Sequence, residues 1–216
     1  MVDRRSDRWR FTAARRVLRP ANRPSLDRWV GAEGSRLHGL VLNVGCGSDT
    51  RRFGRRTIRL DRYAPAIDVR ADLGTPLPFA SGTFAGAVCS EVLEHVADPG
   101  LVVREIRRVL APGARALFTV PFVFHYHQDP EDYRRYSPDG LRRELEHAGF
   151  VIEMVAGCGG KIVAAALLAE AVHPMMKLAV RLALAPFAPV LSRHGPVPGR
   201  SSDWAANVVA IATVPS

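Results

Sequence analysis

An α/β fold, built on a seven-stranded and mostly parallel sheet with helices on both faces, is predicted by three features of the chain. The first is Val41-Leu42-Asn43-Val44-Gly45-Cys46-Gly47, where a β-favouring run passes into a Gly-x-Gly turn. A buried parallel strand ends in this way when its backbone must come close to another group. The second is an alternation of strand-like and helix-like segments, which favours parallel pairing with crossover helices. The third is a set of polar strand ends at Asp61, Asp72 and Ser90. In an open α/β sheet these collect at the carboxyl edge, where ligands bind.

The elements follow in order. Strands are expected at 40–44, 57–61, 67–70 and 84–90. A helix at 101–110 places Leu101, Val102, Ile106, Val109 and Leu110 on one side, and Pro112-Gly113 breaks it. A fifth strand at 116–121 precedes a helix at 138–148, with Ser137 as N-cap and Gly149 as the C-terminal stop. Strands at 150–156 and 204–214 complete the sheet. Only residues 48–56 join the first two strands, too few for the usual crossover helix, so a loop or a single turn is expected there. Residues 157–200 read as two amphipathic helices and a Pro-rich return. The chain divides into a basic segment at 1–36 and one α/β domain at 37–216 that carries this insertion.

Composition excludes several function classes. The 216 residues are 47% hydrophobic and 24% charged, as in an ordinary soluble domain. The net charge is +9, but the only lysines are Lys161 and Lys177. So one-sided a use of arginine points to codon bias rather than to phosphate contacts. Residues 1–28 hold nine arginines against Asp3, Asp7 and Asp27, which is most of the excess. Such an arm allows peripheral membrane contact or, more simply, a solvated terminal helix. Three cysteines, Cys46, Cys89 and Cys158, argue against a disulfide framework and for a reducing compartment. No secretory pattern or membrane-length apolar run is present, and a cytoplasmic location is expected.

The Gly-x-Gly turn alone leaves several readings open. A dinucleotide fingerprint would have a third glycine where Thr50 stands. No Gly-Lys-Ser/Thr follows, so a P-loop is excluded. Asp61, at the end of the second strand, suits the two hydroxyls of a ribose. Asp72 suits an adenine amino group. The fourth strand then runs into Ser90-Glu91-Val92-Leu93-Glu94-His95-Val96.

Val41 to Gly47, Asp61, Asp72, Leu77-Pro78-Phe79, Ser90 to Val96 and Leu110 to Gly113 together resemble the class I S-adenosylmethionine-dependent methyltransferases. The resemblance covers residues 40–150 in the expected order and spacing. It is strongest to the branch that modifies small molecules, lipids and glycans. It implies a Rossmann-like sheet with an antiparallel last strand, and S-adenosylmethionine as cofactor. Asn43, Gly45, Cys46 and Gly47 would lie by the methionine part of the cofactor. Asp61 would hold the ribose, Asp72 and Leu73 the adenine, and Ser90 the aminocarboxypropyl end, with Arg62, Glu91 and His95 also among the cofactor-binding residues. Asn43 stands where the family usually has an acid, and Asp49 where it often has a third glycine.

The fifth strand leads into a loop, 121–137, dense in aromatic and titratable residues. His125 and His127 are the candidate bases for a hydroxyl acceptor, since histidine titrates near neutral pH, and Asp129 is placed to orient one of them. Asp132, Tyr133, Arg134 and Tyr136 resemble a substrate-loop signature of glycan-modifying members. Alternation along an extended segment would also let His125, His127 and Asp129 share an ion; no metal is assigned. Ser90-Glu91-Val92-Leu93 stands where enzymes acting on base amino groups often have Asn-Pro-Pro-Tyr, and no RNA-binding module is attached, so nucleic acid is not expected. The expected reaction is methyl transfer to a hydroxyl of a sugar, glycolipid or secondary metabolite. An RNA or protein methyltransferase and a non-catalytic cofactor-binding protein remain as alternatives. In the family the 157–200 region often forms a lid or a homodimer contact.

Overall fold

The structure, a computed structural model, describes residues 22–172 and 205–216, with positions 179, 180, 182, 183, 187 and 196 between them. Seven strands form one sheet: β1 Leu40–Val44, β2 Arg56–Asp61, β3 Val69–Arg70, β4 Phe84–Ser90, β5 Leu110–Pro121, β6 Val151–Cys158 and β7 Asn207–Thr213. Their spatial order is β3-β2-β1-β4-β5-β7-β6. β1 to β5 run parallel, while β7 inserts antiparallel between β5 and β6. Helices α1 Arg23–Gly34, α2 Pro99–Val109, α3 Pro138–His147 and α4 Gly160–Val172 complete the described fold.

Most strands lie within two residues of their expected bounds. β5 differs: it begins at Leu110 rather than at 116. α2 ends at Val109, before Pro112-Gly113, and the chain passes directly into the sheet at Leu110. Phe84 pairs with Leu110 and Gly86 with Arg115, so one residue of β4 faces four of β5. The extra residues form a bulge, and Gly113 takes a left-handed φ of 75° there.

Both faces of the sheet are covered. One carries α2 and α3 over Val102, Val103, Ile106, Leu141 and Leu145, all buried with Leu42, Val44 and Phe118. The other carries α1, whose Leu26, Trp29 and Val30 pack with Val41, Val88 and Leu117. α2 and α3 start on Pro and are capped by Asp98 and Ser137, whose side chains accept from the N–H groups of Leu101 and Gly140.

The link from β1 to β2 is a loop, as its length requires. Phe53 supplies the packing a helix would give. It is 2% exposed and lies against Gly34, where an added Cβ would meet its ring at 2.4 Å. The Phe53 N–H donates to Thr57 Oγ1 and the Thr57 hydroxyl donates back to the Phe53 carbonyl, which fixes the loop with local bonds.

Among the described residues no helix is long and apolar enough to cross a membrane. In α4, Val163 and Leu167 are buried, while Ile162 and Leu168 are exposed. The arginine-rich residues before position 22 and most of the Pro-rich return lie outside the described residues, and with them the expected membrane and dimer contacts.

Candidate functional site

The site is built on the carboxyl ends of β1, β2, β4 and β5. These strands are adjacent in the sheet, and their loops leave on the same side because they run parallel.

The β1 end has two glycines with different duties. Gly45 has φ 59°, and a Cβ there would collide with the Val92 side chain at 2.6 Å. Gly47 has φ 51° but open space above it. Gly45 therefore lets the chain pass Val92, and Gly47 leaves room for a group outside the protein. Between them Cys46 is buried, and its N–H donates to the Leu60 carbonyl. Burial, reinforced by the Asp61 charge, pushes its thiol up to about 12, so it is not a nucleophile here.

Asp61 ties this turn to β2. Its Oδ2 accepts from the Gly47 N–H at 2.8 Å, and its Oδ1 from the N–H groups of Tyr63 and Ala64 at 2.7 and 2.9 Å. Three bonds leave a carboxylate further acceptor capacity. Asp72, beyond β3, accepts from the Gly74 N–H and pairs with Arg62 at 2.8 Å. The Arg62 guanidinium also lies over the Tyr63 ring, 5.2 Å from its centre. Leu73 is partly buried against the core. Asn43, at 2% exposure, has a side-chain nitrogen with no hydrogen-bond partner among the described residues.

At the β4 end Ser90 Oγ lies 2.8 Å from Thr119 Oγ1, its register partner on β5. Thr119 donates to Glu91 Oε1, and Asn207 Nδ2 donates to Glu91 Oε2. Asn22 Nδ2 in turn donates to Asn207 Oδ1 at 2.7 Å. Burial pushes the Glu91 carboxyl upward despite these donors. Glu91 holds φ 57°, in the left-handed region that a glutamate rarely enters. Its carboxylate is thus committed to β5 and β7. Thr119, Asn207 and Asn22 were not read from the sequence as site residues. For Thr119 and Asn207 the available signal was the one used for Ser90, a polar residue near the end of an apolar strand; Asn22, just before α1, carried none.

The 121–137 loop folds back over this edge. The Tyr133 N–H donates to the Glu94 carbonyl, and Arg134 Nη2 to the Ala97 carbonyl. Arg135 reaches the carbonyls of Phe124 and His125. His125 stacks on Phe124 with ring centres 4.5 Å apart, and His127 meets His95 edge-on at 4.9 Å. The expected carboxylate partner of these histidines, Asp129, is exposed. The acid beside His127 is instead Asp132, which accepts from the His127 N–H at 2.7 Å and lies 3.4 Å from its Nδ1. The five-residue separation works because the loop turns back on itself, whereas an extended segment would have favoured 129. Burial would raise Asp132, but hydrogen bonds from Arg135 and from the His127 backbone outweigh it and hold the carboxyl down at about 2. Burial lowers His127, with His95 nearby acting the same way, so its neutral form is favoured.

Comparisons with known proteins match the part of the chain that carries these strand ends. A family model described as a methyltransferase domain matches residues 42–118, from within β1 to within β5. An uncharacterized 37.1 kDa protein in transposon Tn4556 of Streptomyces fradiae is 34% identical over 100 residues, covering 45% of this chain and 28% of that protein. A ubiquinone biosynthesis O-methyltransferase of Thiobacillus denitrificans is 29% identical over 112 residues, covering 43% of this chain and 48% of the relative. The chain thus spans less than half the length of these curated relatives. A putative methyltransferase solved with the Trm112 activator of Haloferax volcanii superposes with a TM-score of 0.62 at 18% identity, over 97% of this chain and 96% of that one.

Proposed function

We propose, on the premise that this chain is a class I S-adenosylmethionine-dependent methyltransferase with S-adenosylmethionine as its cofactor, that it methylates a hydroxyl of a small molecule. A sugar, a glycolipid or a secondary metabolite is the acceptor class. When bound, the cofactor supplies an electrophilic methyl group on a sulfonium centre.

The residues at the strand ends fit such a group. Gly47 provides an open backbone approach, and the Asn43 amide is a buried donor without a partner among the described residues. Asp61 and Asp72 offer acceptors for the hydroxyls and the amine of such a cofactor. Asn43, Gly45, Cys46, Gly47, Asp61, Arg62, Asp72, Leu73 and Ser90 are the residues proposed to surround it.

The acceptor enters against the 121–137 loop. An imidazole of His125 or His127 takes the hydroxyl proton, and Asp132 holds the His127 ring in place through its Nδ1 side. Asp132 takes over the orienting role first assigned to Asp129. The observation that carries the reading is the neutral, half-buried His127 placed beside the β4 end by a loop from β5. An O-methyltransferase among the relatives supports hydroxyl chemistry. The experiment is incubation of the protein with S-adenosylmethionine labelled in its methyl group and a panel of phenols, sugars, glycolipids and amines. Label in a hydroxyl-bearing product supports the reading. Label only in amine acceptors contradicts it.

A further inference from the structure

Glu94 is the least expected group in the molecule. Its side chain has no exposure, and neither carboxylate oxygen has a hydrogen-bond partner among the described residues. A buried carboxylate without donors is costly, so burial pushes the Glu94 carboxyl well above its ordinary value unless a cation completes it. The nearest basic nitrogen is His95 Nε2, at 3.5 Å. One ligating atom each from Glu94, His95 and His127 lie within 4.8 Å of one another.

We propose that Glu94, His95 and His127 bind a divalent transition-metal ion. Two imidazoles and one carboxylate are a donor set for zinc, manganese or iron(II), and leave positions open for a ligand. The tautomers suit it. His95 Nδ1 faces the Glu131 carbonyl at 2.5 Å and must donate to it. His127 Nδ1 faces the His125 carbonyl at 3.3 Å and the Asp132 carboxylate at 3.4 Å. Both rings therefore carry the proton on Nδ1 and keep the Nε2 lone pair free, which is how metal-ligating histidines are oriented by their outer partners. Bonds of about 2.1 Å draw ligands closer together than 4.8 Å, so the side chains close slightly on binding.

The sequence pattern grouped His127 with His125 and Asp129; the fold groups it with a helical turn about thirty residues earlier. The site shares His127 with the acceptor reading, and its use rests on that reading: with Nε2 on the ion, His127 is a ligand and the proton acceptor is His125. An ion there would take the acceptor oxygen as a further ligand and favour loss of its proton, which passes to His125, the imidazole left off the ion.

The test is calorimetric titration of the chelator-treated protein with zinc and, separately, manganese. One ion per chain is expected, weakened at least tenfold by Glu94→Gln and by His127→Ala, and unchanged by His147→Ala on the exposed side of α3. Cobalt absorption bands in the wild-type protein that are lost in His95→Ala provide a second readout. S-adenosylhomocysteine affinity of each variant reports whether it is folded. Binding of neither ion, or equal binding by the folded Glu94 and His127 variants, would overturn the proposal whatever the acceptor is.

Discussion

Asp61 and Glu94 are acids at the same carboxyl edge of one sheet, yet their surroundings are opposite. Asp61 accepts three backbone N–H bonds and joins the β1 and β2 ends into a finished turn. Glu94 is more deeply buried and accepts none from the described residues. On the proposed reading, the difference separates a cofactor half assembled by the backbone itself from an acceptor half that is completed by what it binds. Backbone donors come with the fold, while the proposed acceptor half depends on side chains that the 121–137 loop brings over the sheet edge.

The largest effect should come from the acceptor half. We expect His127→Ala to lower methyl transfer by about 10²–10⁴-fold, the usual worth of a positioned proton acceptor, measured as initial rate with saturating acceptor. Retention of full rate would shift the role to His125. On the cofactor half, Gly47→Ala places a side chain on a φ of 51° in the space left for the ligand. We expect a rise of about tenfold in the KM for S-adenosylmethionine, about 1.4 kcal/mol, because the added methyl group occupies the open approach above residue 47. An unchanged KM would mean the open space is not used.

Asp132→Asn and Asp129→Asn sharpen the assignment within the loop. Asp132 is bonded to His127 and Arg135, so its loss should slow turnover by about tenfold, the effect of one charged hydrogen bond. The exposed Asp129 variant should be close to wild type. The reverse order of the two rates would restore Asp129 as the orienting acid.

The smallest effect concerns Glu91. Its carboxyl lies above the usual 4.5 because burial outweighs its donors, so the folded state holds its proton more tightly than the unfolded one. Its stabilising contribution is complete below pH 4.5 and declines as pH rises through the folded value. Thermal melts of Glu91→Gln against the parent should shift in the variant's favour between pH 4.5 and neutrality. A difference that is flat with pH would show that Glu91 ionises freely.

The sheet was legible because its signals are local. The run into Gly45 and the polar ends at Asp61 and Ser90 need only neighbouring residues to be read. The missing first helix followed from chain length alone. Phe53, which fills its place, carried no signal, since one aromatic residue in an arginine-rich loop does not reveal the face it covers. The start of β5 was hidden because Pro112-Gly113 breaks a helix and also builds a bulge. In the candidate site, the backbone-held residues were readable and the pairings across the fold were not. His127 with His95, and Thr119 and Asn207 with Glu91, meet through strand register and loop closure, which no spacing in the chain encodes.

The separation of the two halves is tested most directly by titrating S-adenosylhomocysteine into Asp61→Ala and His127→Ala beside the wild-type protein, by calorimetry. Wild type and His127→Ala should bind one molecule per chain with affinities within about twofold of each other, while Asp61→Ala loses at least tenfold, the worth of one or more charged hydrogen bonds. Unchanged binding by Asp61→Ala, or an equal loss in both variants, would contradict the account.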